Sequence, residues 1–160
     1  MLQRIQSLYL LLISVCSIIL LFFPVYSLVP DATSLDSGIY TFYMFGVQLI
    51  KDGADSVLVR YWPVTILNFL IMISAFLIIF KFKNRSLQLK LTGLLTFLGI
   101  LMVILLAYET SQLQAVFGTK HHIMFGWVGS LILLQIVFAR LAMVAIKKDD
   151  QLVKSADRLR

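Results

Sequence analysis

Glu109, His121 and His122 are the residues of this 160-residue chain whose types could combine for metal or acid–base chemistry. A carboxylate beside an imidazole can hold a divalent cation or relay a proton. Their spacing works against it. Adjacent histidines on a helix diverge by roughly 100 degrees, so at most one joins Glu109 on a given face, short of a closed ligand set. The expectation is an outer loop whose Lys120, His121 and His122 meet lipid headgroups, with no metal and no cofactor. Cys16 is the sole cysteine, which rules out an intramolecular disulfide and a dithiol relay. Asp31, Asp36, Asp52 and Asp55 could bind a cation, but turn chemistry accounts for them. Asn68, Gln135 and Arg140 could line a polar path, yet only Arg140 is ionisable and it sits near the end of its apolar run.

The elements that must position these residues are oily. Apolar residues make up 60% of the chain and charged ones 14%, with a mean hydropathy of +0.93, more apolar surface than a water-soluble fold of this length can hide. Four runs, at about 7–28, 62–82, 88–108 and 123–146, approach the ~20 residues that cross a ~30 Å hydrocarbon layer. Hydrocarbon offers the backbone no hydrogen-bond partner, and barrel-type alternation is absent, so the runs are read as helices. Each central Leu, Ile, Phe or Val favours insertion by about 0.3–0.6 kcal/mol, so about a dozen of them offset one or two polar insertions. The first run is longer than a signal-peptide core, and Val25-Tyr26-Ser27 is a poor cleavage site, which makes it an uncleaved span.

Charge orients the runs. Lys81, Lys83, Arg85 and Lys90 crowd the second connection with no acid among them, which places loop 83–87 in the cytoplasm. The same topology puts Arg4, Arg140, Lys147, Lys148, Lys154, Arg158 and Arg160 on the inner side and leaves Lys51, Arg60 and Lys120 outside. Orientation thus explains the net charge of +6, and a nucleic-acid role is set aside because no basic groove or stacking platform accompanies it. The chain reads as a single integral membrane domain, 1–160, with outer loops 29–61 and 109–122 and a cytoplasmic tail 147–160.

In the first outer loop, IYTFYMFGVQLI and SVLVRY flank an Asp52-Gly53 turn signal, which predicts one β-hairpin. Tyr40, Phe42 and Met44 point one way and Ile39, Thr41, Tyr43 and Phe45 the other, so both faces are apolar or aromatic. Tyr40, Phe42, Tyr43 and Phe45 are candidates for contact with a membrane or periplasmic protein, against the plainer role of a hairpin core resting on the bundle. Thr96 and Gly99 in the third run, and Gly126 and Ser130 in the fourth, are small residues at a spacing that lets helices approach. The fold expected is an all-α membrane protein: a four-helix transmembrane bundle with a small extracytoplasmic β-hairpin between helices 1 and 2.

The opening MLQRIQSLYLLL, with Gln3-Arg4-Ile5-Gln6 leading into Tyr9, together with the four-run layout and the long loop after the first run, resembles an uncharacterised family of bacterial four-helix inner-membrane proteins. The resemblance implies a bacterial inner-membrane location with both termini cytoplasmic, and it implies no activity. The residues themselves point to a non-enzymatic small integral membrane protein, an accessory or scaffold subunit contacting lipids and other envelope proteins. One alternative is a binder or transporter of lipid or small hydrophobic molecules. Another is a membrane enzyme using Glu109 with His121 or His122.

Overall fold

The computed structural model describes residues 2–30, 38–51, 54–59, 62–81, 84–117 and 121–158. Four helices dominate it: α1 (Leu2–Phe22), α2 (Trp62–Phe80), α3 (Arg85–Phe117) and α4 (Ser130–Arg158). α1 packs against α2 and α4, and α3 against α2 and α4. Each of the four is long and apolar enough to cross a membrane. Their outward faces are apolar too, as Leu8, Leu11, Val15 and Ile18 on α1 and Ile66, Leu70, Ile73 and Leu77 on α2 illustrate. A three- to four-residue recurrence of exposed aliphatics is the inverse of a soluble helix, whose outward stripe is polar.

Two tertiary contacts fix which ends lie together. The Gln6 Nε2 donates to the Ala145 carbonyl across 3.2 Å, tying the start of α1 to the second half of α4. Arg85, at the start of α3, forms an ion pair with Asp149 at 3.7 Å and donates to its carbonyl at 3.3 Å. One end of the bundle therefore gathers the beginning of α1, the α2–α3 connection and the later turns of α4. The four other helix ends meet at the opposite pole.

That pole carries a five-stranded antiparallel sheet rather than the single hairpin expected from the sequence. Its order is β4-β3-β2-β1-β5, formed by β1 (Tyr26–Pro30), β2 (Ile39–Tyr43), β3 (Gly46–Lys51), β4 (Ala54–Val59) and β5 (His121–Phe125). The expected hairpin survives as β3–β4, with Lys51 opposite Ala54 across the Asp52-Gly53 signal, whose two residues lie outside the described ones. The first arm, read as one strand, is folded in two at Met44-Phe45, with Tyr43 opposite Gly46. No Asn-Gly or Asp-Gly marks this turn. Met44 is instead fully buried, the Thr65 hydroxyl donates to its carbonyl, and Gly46 supplies a φ of 155° that residues with a Cβ rarely adopt.

The remaining differences also have local causes. The first helix stops at Phe22 instead of continuing to 28: Pro24 cannot extend it, and Val25 N–H donates to the Phe42 carbonyl at 2.9 Å, starting the sheet. α3 continues nine residues past Tyr108, to Phe117, because nothing between Glu109 and Phe117 breaks a helix and Leu113 is buried. The stretch 121–125, expected as loop and span, is a strand because β1 offers it a ladder from Tyr26–Phe125 to Pro30–His121. α4 accordingly begins at Ser130, after a single 3-10 turn at Trp127–Gly129, and runs unbroken into the expected tail as far as Arg158.

The core joins both layers. Leu10, Ile13 and Leu20 of α1, Ile71 and Ile78 of α2, Leu95 and Met102 of α3 and Ile146 of α4 are buried between helices. Tyr26, Leu28, Tyr40, Phe42 and Val47 form the buried face of the sheet, with Tyr26 and Phe42 stacked at 4.7 Å and 10°.

Candidate functional site

Glu109 lies half-buried on α3, while His122 stands exposed on β5 opposite Val29. The side chain of His121 lies outside the described residues. Among the described residues no group of three or more His, Cys, Asp or Glu could hold a metal ion.

The four aromatic candidates separate by face. Tyr40 and Phe42 are buried beneath the sheet and can meet no partner without unfolding it, Tyr43 is half-buried, and Phe45 stands 48% exposed on the Met44-Phe45 turn. The small residues separate as well. Thr96 is buried and returns its hydroxyl to the Thr92 carbonyl at 3.0 Å, and Gly99 lets α4 approach so closely that a Cβ there would lie 2.9 Å from Ile136. Gly126 and Ser130 do not form a helical packing pair, because Gly126 precedes the helix and donates its N–H to the Val25 carbonyl at 3.2 Å. Of the topology-marking cations, Lys81, Lys90, Lys147 and Lys148 are exposed, Arg85 is paired with Asp149, and Lys83 lies outside the described residues.

Asn68 and Gln135 meet deep in the bundle, on Ser17 of α1. The Asn68 Nδ2 donates to the Ser17 carbonyl at 3.1 Å, and the Gln135 Nε2 donates to the Ser17 hydroxyl at 2.8 Å. This knot cross-links three helices, and the Gln135 Nε2 also reaches the Ile13 carbonyl at 3.5 Å. Its two oxygens, Asn68 Oδ1 and Gln135 Oε1, have no hydrogen-bond partner among the described residues. Arg140 takes no part, being exposed on a different face of α4.

A lateral cleft of about 660 Å³ opens between the last turns of α3 and the start of α4, roofed by β1 and β5. It exists because α3 overshoots and α4 starts late, so the two helix ends part on either side of the strand that joins them. Leu106, Ile132 and Tyr26 form its buried floor, and Ala107, Leu133 and Phe125 its open walls. Among the described residues no charged side chain lines it. Thr110 and Ser130 sit at its rim, but their hydroxyl hydrogens are spent on the Leu106 and Trp127 carbonyls at 2.7 and 2.6 Å. The cleft therefore offers apolar surface, a few acceptor oxygens and the Gln114 amide, a lining that suits an apolar molecule. Ala107, Thr110, Gly129 and Leu133 went unmarked in the sequence reading; Gly126 and Ser130 were its only trace.

A ring of four long apolar helices, closed at one pole by an antiparallel sheet and opened beside that sheet by a cleft, defines the class of protein. The chain belongs to the family described as Domain of unknown function (DUF4293), whose profile matches residues 2–159, nearly the whole length. This bears out the resemblance seen in the opening residues and the four-run layout. Comparison with curated proteins gives no match.

Proposed function

We propose that the protein is a non-enzymatic, multi-pass membrane protein that holds a lipid acyl chain or similar apolar molecule in the α3–α4 cleft. Both termini and the basic α2–α3 connection face the cytoplasm of a bacterial cell, and the sheet lies on the outer side. The carrying observation is the cleft itself: its volume falls within the ~300–1,000 Å³ usual for ligand pockets, and Ala107 and Leu133 belong to the stretches long and apolar enough to be immersed. A hollow at that depth is bathed in acyl chains. The outward aliphatic faces of the helices support the membrane placement, since water would penalise them.

The test is photolabelling of the purified protein in bilayer discs with a diazirine-bearing fatty acid. Label is expected to concentrate on peptides holding Thr110, Ile123 and Leu133. Ala107→Trp, which fills the cleft from an exposed helix position, should lower it about tenfold, or ~1.4 kcal/mol of binding. Leu94→Trp, equally lipid-facing but outside the cleft, should not. Labelling spread evenly over all four helices, indifferent to Ala107→Trp, would refute the reading.

A second reading, an accessory subunit docked to another envelope protein, is favoured by Phe45. A large aromatic held outward on a tight turn at the bundle pole suits a contact surface. Crosslinking from position 45 in native membranes should capture one defined protein if this role operates.

A further inference from the structure

The outer face of α4 changes character along its length. Leu133, Val137, Arg140, Val144 and Lys147 are all exposed, and at ~100° per residue they fall within an arc of about 80°, with Lys148 on its shoulder. Arg140 and Lys147 are nearly eclipsed, about two turns or ~10 Å apart, with Val144 between them. No acid shares the arc. Asp149 turns toward α3 to pair with Arg85, and half-buried Asp150 lies off the arc with an interaction of its own. The elements flanking the arc present no counter-charge: α3 approaches through Gly93 against Met143, and α1 through Gln6 against Ala145 and Tyr9 stacked on Phe138. Arg140 and Lys147 have no ion pair among the described residues.

Arg140 lies within the apolar stretch Trp127–Val153, deeper than the level marked by the Arg85–Asp149 pair. A guanidinium on a lipid-facing arc cannot remain there unaccompanied. Its side chain must run along the helix toward the headgroups, where the counter-charge within reach is a lipid phosphate. The planar guanidinium binds two phosphate oxygens at once, and a lysine on the far side of Val144 adds a point charge. We propose that Arg140, Val144 and Lys147 seat the headgroup phosphate of an anionic phospholipid of the inner leaflet, its acyl chains lying over Val137 and short of the cleft wall at Leu133. The site is distinct from the cleft and at the other end of the bundle, and it rests on the membrane placement proposed above.

Native mass spectrometry of the full-length protein released from mixed micelles tests this, with phosphatidylglycerol and phosphatidylcholine supplied equally. The wild type should retain phosphatidylglycerol preferentially. Arg140→Gln and Lys147→Gln should each lower that preference about fivefold, the value of one cation beside an anionic lipid surface, with Arg140→Lys in between. Lys81→Gln and Lys90→Gln, which remove exposed charges elsewhere at the same end, should leave it unchanged. Equal loss in all four glutamine variants means that net charge alone attracts the lipid and overturns the site, as does a wild type without preference. Inorganic phosphate should not displace the adduct; displacement overturns the lipid assignment. Flotation with liposomes is read separately: a protein that fails to float refutes the membrane placement, whereas one that floats without lipid preference refutes this site alone.

Discussion

Phe42→Ala is expected to destabilise the protein by about 3–5 kcal/mol, the cost of deleting a fully enclosed aromatic ring from a core that cannot collapse around the gap. Phe42 is 1% exposed, stacks on Tyr26, and its carbonyl receives the Val25 N–H that brings the chain from α1 into the sheet. The ring thus binds β1 to β2 at the point where the sheet meets the bundle. Phe45→Ala, three residues away but exposed, should shift stability by no more than ~0.5 kcal/mol. Thermal denaturation in detergent, followed through the fluorescence of Trp62 and Trp127, reads both variants. Equal losses would mean that the sheet does not rest on the helices as described.

Gly99→Leu should loosen the packing of α3 on α4. A Cβ at Gly99 would already stand 2.9 Å from Ile136 Cγ1, and the leucine branches beyond it must force α3 from α4 or drive Ile136 off its rotamer, typically ~1–3 kcal/mol. Because the obstacle is one flexible side chain, relief is specific. Ile136→Ala added to Gly99→Leu should recover most of the loss, while Ile136→Ala alone destabilises by leaving a void. Additive losses in the double variant would place the two residues apart.

The helices were legible because a run of about twenty apolar residues long enough to cross a membrane has few other uses. Where they end was less visible, since ends depend on what lies next to them. Pro24 was the main local sign that α1 stops before Val25, since Val25, Leu28 and Val29 carry apolar residues on beyond the helix. The β3–β4 hairpin showed through its Asp-Gly signal. The turn at Met44-Phe45 did not, because a hydrogen bond from Thr65 and the burial of Met44 specify it, and both are tertiary. β5 was invisible for the same reason: HHIMF is a strand only because β1 lies alongside it. The cleft follows from two helix boundaries, being the space left when α3 runs long to Phe117 and α4 begins late at Ser130. The Arg140 face, by contrast, can be counted off the sequence once the helix is granted.

Accessibility of single cysteines in intact cells tests the central claim most directly. In a Cys16→Ser background, Phe45→Cys on the sheet and Lys148→Cys on α4 are exposed on opposite poles of the bundle. A membrane-impermeant maleimide should label position 45 in intact spheroplasts and position 148 only after lysis. Labelling of both before lysis, or of position 148 alone, would contradict a bundle that spans the membrane with its sheet outermost.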